Sequence, residues 1–158
     1  MPYFAVPGNQ SAISAAYKTA ALVQGATSGT VRRAKINEFM VGESGNPNAT
    51  DTYVQWDVSR FTASGAGAYT AWTPTLLDPA DAAAVTQAGI NSTAEQTTFT
   101  ANSSLWNVAV NQRGSLRWVA AQESQSIVMP ATASAGLALR ALSSTYTGAA
   151  TGQLTFQE

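Results

Sequence analysis

The sequence contains neither histidine nor cysteine. Without cysteine the chain can form no disulfide bond, no zinc–thiolate site and no thiol nucleophile. Without histidine it cannot build the Ser-His-Asp or Cys-His groups on which many hydrolases depend. These two absences exclude several large classes of enzyme before any motif is considered.

Charged residues are also scarce, at 11% of the chain, whereas an average globular protein has about 25%. The surface must therefore consist largely of alanine, serine, threonine, asparagine and glutamine. Such a surface has little charge repulsion to keep copies apart. The composition favours a protein that works in contact with other chains; the alternative is an unusually neutral soluble protein.

No sign of charge dominates, since the 8 basic and 9 acidic residues leave a net charge of -1. The basic cluster of Arg32, Arg33 and Lys35 is short, and charges of this kind commonly guard a strand edge. We therefore expect no nucleic-acid partner. No apolar run approaches the length of about 18 residues that a membrane span needs, and no signal peptide is visible, so we expect no membrane and synthesis in a cytosol.

Motifs that would indicate catalysis or cofactor binding are missing. There is no P-loop and no G-x-G-x-x-G, and residues 42–45 do not match the nucleophile elbow. Asp57 with Glu38 or Glu95 could in principle act as a carboxylate pair, and Glu123 is a further candidate. Nothing in the sequence places these residues together, and the simpler interpretation of Asp57 is a solvated strand face or a partner for Arg60. We expect no enzyme, no cofactor and no metal site.

The strongest strand pattern covers residues 105–121, which we expect to lie at the centre of the core. Alternation puts Trp106, Val108 and Val110 on one face before residues 111–114, and Leu116, Trp118 and Ala120 on one face after them. The polar residues 111–114 suit either a hairpin turn or a bulge within one long strand. A second clear strand, at 52–62, directs Val54, Trp56 and Val58 inward and Gln55, Asp57 and Ser59 outward.

Together the patterns predict about eight or nine strands separated by turn residues, which is typical of an antiparallel β-sandwich or barrel. A jelly roll is preferred because the longer connections suit crossing between two sheets. One short helix is predicted near residues 78–88, with Asp78 as N-cap, Pro79 in the first turn and Gly89 at its end. We expect an N-terminal arm at 1–12 followed by a single domain at 13–158.

The aromatic residues divide into two groups. Trp56, Trp106 and Trp118 follow the strand alternation and are expected in the core. The candidates for a partner surface are Tyr3, Phe4, Val6, Tyr69 and Trp72. The arm residues could instead pack on their own domain, and the exposed rings could serve a carbohydrate site.

Several phrases together resemble small virion proteins of tailed bacteriophages, and among these the jelly-roll decoration, or cement, proteins that sit as trimers on icosahedral heads. The phrases are VGESG at 41–45 with Pro47, VQWDVSRFT at 54–62, TP at 73–74, LDPADAA at 77–83, NQR at 111–113, RWVAA at 117–121 and PATA at 130–133. The resemblance implies a homotrimer that binds the major capsid protein on the outside of the phage head and stabilises it. Alternatives are another head or tail subunit and a receptor- or glycan-binding module such as a fibre head.

Overall fold

The computed structural model describes residues 1–63 and 65–158, with the side chains of all of them except 101 and 102. These residues form twelve strands and one 3₁₀ helix, Glu123–Gln125. The strands in chain order are β1 (Tyr3–Gln10), β2 (Lys18–Gln24), β3 (Ala34–Glu43), β4 (Tyr53–Phe61), β5 (Ala68–Trp72), β6 (Thr75–Leu76), β7 (Gln87–Ala94), β8 (Phe99–Asn111), β9 (Ser115–Val119), β10 (Ile127–Met129), β11 (Gly136–Leu142) and β12 (Ala150–Gln157).

The strands lie in two antiparallel sheets that pack face to face. The first sheet has the order β10-β3-β12-β1-β6, and β9 also pairs with β3; the second has the order β5-β7-β2-β11-β4-β8. The all-β sandwich predicted from the sequence is confirmed.

The pairing order is that of a jelly roll. The chain behaves as one long antiparallel ribbon that has been rolled up, because β1 pairs with β12, β2 with β11, β3 with β9 and β4 with β8. The remaining strands are insertions: β5, β6 and β7 lie between β4 and β8, and β10 lies between β9 and β11. The sequence predicts fewer strands than the fold contains because it predicts an arm in place of β1 and because β5 and β6, with five and two residues, are too short to show alternation.

The core lies between the two sheets and follows the alternation of the strands. Val54, Trp56 and Val58 are buried on the inner face of β4, as predicted. Trp106 and Trp118 are half-buried, and their rings pack on Phe39 with centroid distances of 4.6 and 4.8 Å. This arrangement joins β8 of one sheet to β3 and β9 of the other.

A β-bulge in β3 keeps its apolar side chains on one face. The register against β12 shifts between Thr155, which pairs with Glu38, and Phe156, which pairs with Ile36. Asn37 is therefore the extra residue, and both Ile36 and Phe39 point into the core. In the sequence, Ala34 and Ile36 lie on one alternation and Phe39 and Val41 on the other, which predicts a bulge near Phe39. The structure confirms this bulge.

Residues 105–121 are not the centre of the core. β8 is the edge strand of the second sheet, and β9 pairs only with β3 of the first sheet. The turn between them, closed by the bond from Gly114 N to Asn111 O at 2.8 Å, carries the chain from one sheet to the other. It is neither a hairpin turn nor a bulge. The alternation of apolar residues along one stretch does not show that its two halves belong to different sheets.

The N-terminal residues do not form a separate arm. β1 pairs with β12 along its whole length and with β6 on its other side, so it lies inside the first sheet. Pro2 and Pro7 interrupt the strand pattern of the sequence, which is why an arm is predicted. In the structure Pro7 nevertheless pairs with Gln153 in the regular antiparallel register. The predicted boundary at residue 12 is therefore not a boundary of the sandwich.

The predicted helix near 78–88 is also wrong. Asp78 caps a single turn, accepting a bond from Ala80 N at 2.9 Å on Oδ1 and one from Asp81 N at 3.1 Å on its carbonyl oxygen, and no helix follows among the described residues. The segment connects β6 in the first sheet to β7 in the second as non-helical chain.

Candidate functional site

The five residues predicted to form a partner surface separate into two groups. Phe4 and Val6 are completely buried in the core, where the Phe4 ring stacks on Phe156 at 5.2 Å, so the prediction is wrong for them. Tyr3 and Trp72 are exposed to 43% and 39%, and Tyr69 is half-buried. The sequence does not show that Tyr3 is exposed and Phe4 buried, because it predicts an irregular arm here and not the strand β1.

Tyr69 and Trp72 line the same groove, which we call the Trp72 groove. It lies at the end of the β5–β7 pair, has a volume of about 490 Å³, and is lined mainly by Tyr69, Trp72, Thr73, Pro74, Thr86 and Gln87. The groove contains aromatic rings and neutral polar groups side by side. The structure thus brings together Tyr69 and Trp72, two of the residues that the sequence predicts for a partner surface.

The Tyr69 ring is held in place from below and from its hydroxyl end. A Cβ atom on Gly89 would lie 2.2 Å from Tyr69 Cδ2, so the ring fits over this position only because Gly89 has no side chain. Tyr69 Oη accepts a hydrogen bond from Gln24 Nε2 at 2.9 Å, and the same nitrogen donates to Gln87 Oε1 at 3.2 Å. Gly89, predicted to end a helix, instead makes room for an aromatic ring in a sheet.

The opposite wall of the Trp72 groove is fixed by Glu158. Its carboxylate accepts bonds from Val85 N at 2.6 Å, from Thr86 N at 2.9 Å and from Thr86 Oγ1 at 2.6 Å. These charge-assisted bonds use the backbone donors that an extended segment leaves unpaired. The last turn before β7 is therefore tied to the end of β12.

A second groove, the Tyr3 groove, is lined in part by Leu77, the residue directly after β6. It has a volume of about 340 Å³ and its large apolar members are Tyr3, Leu77 and Val119. Leu77 is 57% exposed, and its backbone N donates to Tyr3 O at 3.0 Å. Leu77 and Val119 were not predicted; a leucine directly after a two-residue strand carries no periodic signal.

Charges near the Tyr3 groove are paired with each other. Arg117 Nε contacts Glu38 Oε1 at 2.6 Å, and this hydrogen bond lowers the pKa of the Glu38 carboxyl. Lys35 contacts Glu123 in the same way, which lowers the pKa of Glu123. The groove therefore offers apolar side chains framed by neutralised ion pairs.

The outer face of the second sheet is covered by the chain itself. Asp57 and Ser59 lie on this face, as alternation predicts, but they are buried rather than solvated. The partner of Asp57 is Arg140 and not Arg60, and the Arg140 guanidinium lies between the rings of Tyr17 and Phe99, 4.5 and 4.0 Å from their centroids. The middle of this face is therefore covered.

Hydrogen bonds keep the buried Asp57 ionised. Burial raises its pKa, but bonds from the hydroxyls of Ser104 and Ser59, together with the bond and charge of Arg140, outweigh that effect and hold the pKa below its usual value. Every bond is made to a group of the protein. The arrangement is that of a satisfied structural ion pair.

The other carboxylates considered for catalysis have separate partners. Glu38 is bound to Arg117 and Glu123 to Lys35, while the Glu95 carboxylate accepts bonds from Thr19 N and Thr19 Oγ1 at 2.7 and 2.6 Å. Residues 1–63 and 65–158 contain no group of three or more acidic side chains that could hold a metal ion. No helix in the described part of the chain is long and apolar enough to cross a membrane.

Glu43 is an unusual carboxylate that the sequence did not single out. It lies at the end of β3 beside a groove of about 640 Å³, and its Oε1 accepts a long bond of 3.4 Å from Trp56 Nε1. Its Oε2 is buried without a partner among the described residues. Burial raises the pKa of Glu43 to about 7, although the bond from Trp56 opposes this. The sequence does contain a signal for this position, since Phe39, Val41 and Glu43 share one alternation and Glu43 is therefore expected to point inward.

Comparison of the chain with protein-family models, with curated proteins and with solved structures finds no match. The features of the molecule that bear on its function are therefore its fold and the two grooves beside β6.

Proposed function

We propose that the chain is a non-enzymatic virion structural protein, a decoration or cement protein that binds the outside of a bacteriophage head and stabilises it. The observation that carries this proposal is the position of exposed apolar side chains. Tyr3, Leu77 and Val119 meet in one groove on a sandwich that has few charges. Exposed apolar groups gathered in one place are characteristic of surfaces that contact other proteins.

The two sheets differ in a way that supports a docking role for the first. The middle of the outer face of the second sheet is covered by Tyr17, Phe99 and the Asp57–Arg140 pair, whereas Met40 and Val119 on the outer face of the first sheet are exposed. A partner of the first sheet would bury apolar and neutral polar groups. It would not have to neutralise unpaired charge there, because Glu38 and Glu123 already have basic partners.

The proposed partners are the major capsid protein and further copies of this chain, most simply as a trimer. A head displays many identical sites, so modest contacts of each copy add up when subunits are linked in an oligomer. A rigid two-sheet domain suits this task, since it loses little conformational entropy when it binds. The proposed location is the capsid surface, after synthesis in the host cytoplasm.

The test combines light scattering of the purified chain with co-sedimentation on undecorated phage heads. We expect a trimer that pellets with heads, and we expect the double variant Tyr3→Ser and Leu77→Ser to bind at least about tenfold more weakly. Leu105→Ser is the matched control, because Leu105 is an exposed apolar residue on β8 of the other sheet. A monomer that does not pellet, or a double variant that binds like the control, would contradict the proposal.

A receptor- or glycan-binding module is the second candidate. A subunit at another place in the head or tail would be supported by the same exposed apolar surface as the first. The observation that favours glycan binding is the Trp72 groove, in which rings and neutral polar groups lie together. Failure of head binding with retained sugar binding would favour this candidate over the first.

A further inference from the structure

We propose that the Trp72 groove is a binding site for a neutral saccharide. The proposal deepens the second candidate function and does not require the first, since the Trp72 groove and the Tyr3 groove share no lining residue. A volume of about 490 Å³ lies within the range of roughly 300–1,000 Å³ typical of small-ligand sites. That volume suits a short oligosaccharide.

The apolar part of the site is provided by Trp72 and Pro74. The indole of Trp72 is 39% exposed, so one part of the ring is packed on the protein and another is open. A sugar ring presents an apolar face of C–H groups, which packs well on an aromatic or proline surface. An exposed tryptophan fixed at the end of a paired strand is suited to such a contact.

The polar part of the site consists of groups with unused hydrogen-bonding capacity. Tyr69 Oη and Gln87 Oε1 both accept from Gln24 Nε2, so the Tyr69 hydroxyl hydrogen and the Gln87 amide hydrogens have no acceptor among the described residues. Trp72 Nε1 likewise has no acceptor in this part of the structure. Thr86 Oγ1 donates to Glu158, which leaves its oxygen able to accept. Hydroxyl groups of a sugar can satisfy both kinds of group.

The charge of the site indicates a neutral ligand. None of the lining residues is ionised at neutral pH, and no basic residue is among them. The nearest charge identified by contact is the Glu158 carboxylate behind Val85 and Thr86, which would repel an acidic sugar. Uronic or sialic acids are therefore disfavoured.

The site is also rigid before any ligand binds. Trp72 and Ala71 pair with Ala88 and Gly89, and the Gln24 and Glu158 bonds fix the two walls. A preorganised groove loses little entropy on binding, which matters for a ligand as hydrophilic as a sugar. The same rigidity makes single substitutions interpretable.

The experiment uses the full chain and follows the Trp72 indole N–H signal by NMR. The signal is assigned with Trp72→Phe, and the chain is titrated with maltotriose, with N,N′,N″-triacetylchitotriose and with 3′-sialyllactose as the acidic probe. We expect at least one neutral probe to shift the Trp72 signal saturably, and Trp72→Ala to weaken its binding at least about tenfold. Tyr53→Ala is the matched control, because Tyr53 is an exposed aromatic residue outside this groove.

The other three tryptophans report whether a variant is folded, since their indole signals should stay unchanged. No saturable shift with either neutral probe, or a shift produced only by 3′-sialyllactose, would overturn the proposal. Binding that survives Trp72→Ala in a folded variant would also overturn it. Head co-sedimentation of Trp72→Ala tests the first candidate function separately, because sugar binding and head binding use different grooves.

Discussion

Arg140 donates from both Nε and Nη2 to the same oxygen, Oδ2 of Asp57, at 3.0 and 2.6 Å. The two residues face each other across the β11–β4 ladder, and the side chain of Asp57 is only 2% exposed. An ion pair in this environment is satisfied as long as both partners are present. The pair ties the outer face of the second sheet to the rings that cover it.

Removal of Arg140 should be strongly destabilising. In Arg140→Met the Asp57 carboxylate would remain buried with only the neutral partners Ser59, Ser104 and Asn107, and breaking such a pair typically costs about 3–5 kcal/mol. Urea unfolding monitored by tryptophan fluorescence measures this loss. Arg117→Met is the control on an exposed pair, with an expected change of at most about 1 kcal/mol. Equal effects of the two substitutions would contradict the structural role of the buried pair.

Stability should fall as the pH rises from about 4.5 to about 7 because of Glu43. Its pKa is raised from 4.5 to about 7, so the folded state holds a proton that the unfolded state releases over this interval. The full shift would correspond to about 3 kcal/mol, and solvent screening of this half-buried carboxyl lowers the expected effect to about 1–2 kcal/mol. Glu43→Gln should be more stable than the parent at pH 8 and should flatten the dependence, which unfolding at a series of pH values would measure.

The opposite sign applies to Asp57 and Glu38, whose pKa values are lowered in the folded state. Their contribution is present above the ordinary carboxyl pKa and is lost as the pH falls through the lowered values. Loss of stability below about pH 4 should therefore persist in Glu43→Gln. An unchanged slope between pH 4.5 and 7 in that variant would show that Glu43 is not the group responsible.

Gly89 should not tolerate a side chain, because a Cβ atom there would lie 2.2 Å from Tyr69 Cδ2. Gly89→Ala must displace the Tyr69 ring, and we expect a loss of about 1–3 kcal/mol together with a changed Trp72 groove. Gly114→Ala is the matched control, since the nearest atom there lies at 3.5 Å. Thermal unfolding of both variants provides the comparison; similar melting temperatures would contradict the tight fit at Gly89.

The sandwich could be predicted from the sequence because its inner faces repeat with the period of a strand. Val54, Trp56 and Val58 carry that period, and the change of phase at Phe39 even reveals the bulge. The predicted helix failed because Asp78 and Pro79 are equally good at starting a single turn, and a single turn is what they form. The sequence signals for the two structures are the same at this point.

The grooves were only partly predictable from the sequence. Tyr69 and Trp72 stood out as aromatic residues outside a clear alternation, and they do lie together. Leu77 and Glu158 could not be assigned, because each acts through a contact with a residue far away in the chain. The sequence also gives no signal that Arg140 is the partner of Asp57 or that Trp56 is the partner of Glu43.

Glu158 should stabilise the Trp72 groove, because its carboxylate accepts bonds from Val85 N and Thr86 N in the wall of that groove. Glu158→Gln would keep the shape of the side chain but lose the charge, and an amide can accept with only one of its two end atoms. We expect a loss of about 1–3 kcal/mol in unfolding free energy, since hydrogen bonds to charged groups are the stronger ones.

Amide hydrogen exchange gives the most direct measurement of this role. The N–H groups of Val85 and Thr86, which donate to the Glu158 carboxylate, should exchange faster in Glu158→Gln than in the parent. The N–H of Gly114, whose acceptor Asn111 O lies in a distant turn, should exchange at an unchanged rate. Faster exchange confined to Val85 and Thr86 would locate the effect in the segment before β7, and sugar binding would then be expected to weaken in the same variant. Uniformly faster exchange would instead mean that Glu158 acts on global stability, and unchanged exchange would contradict its contact with the segment.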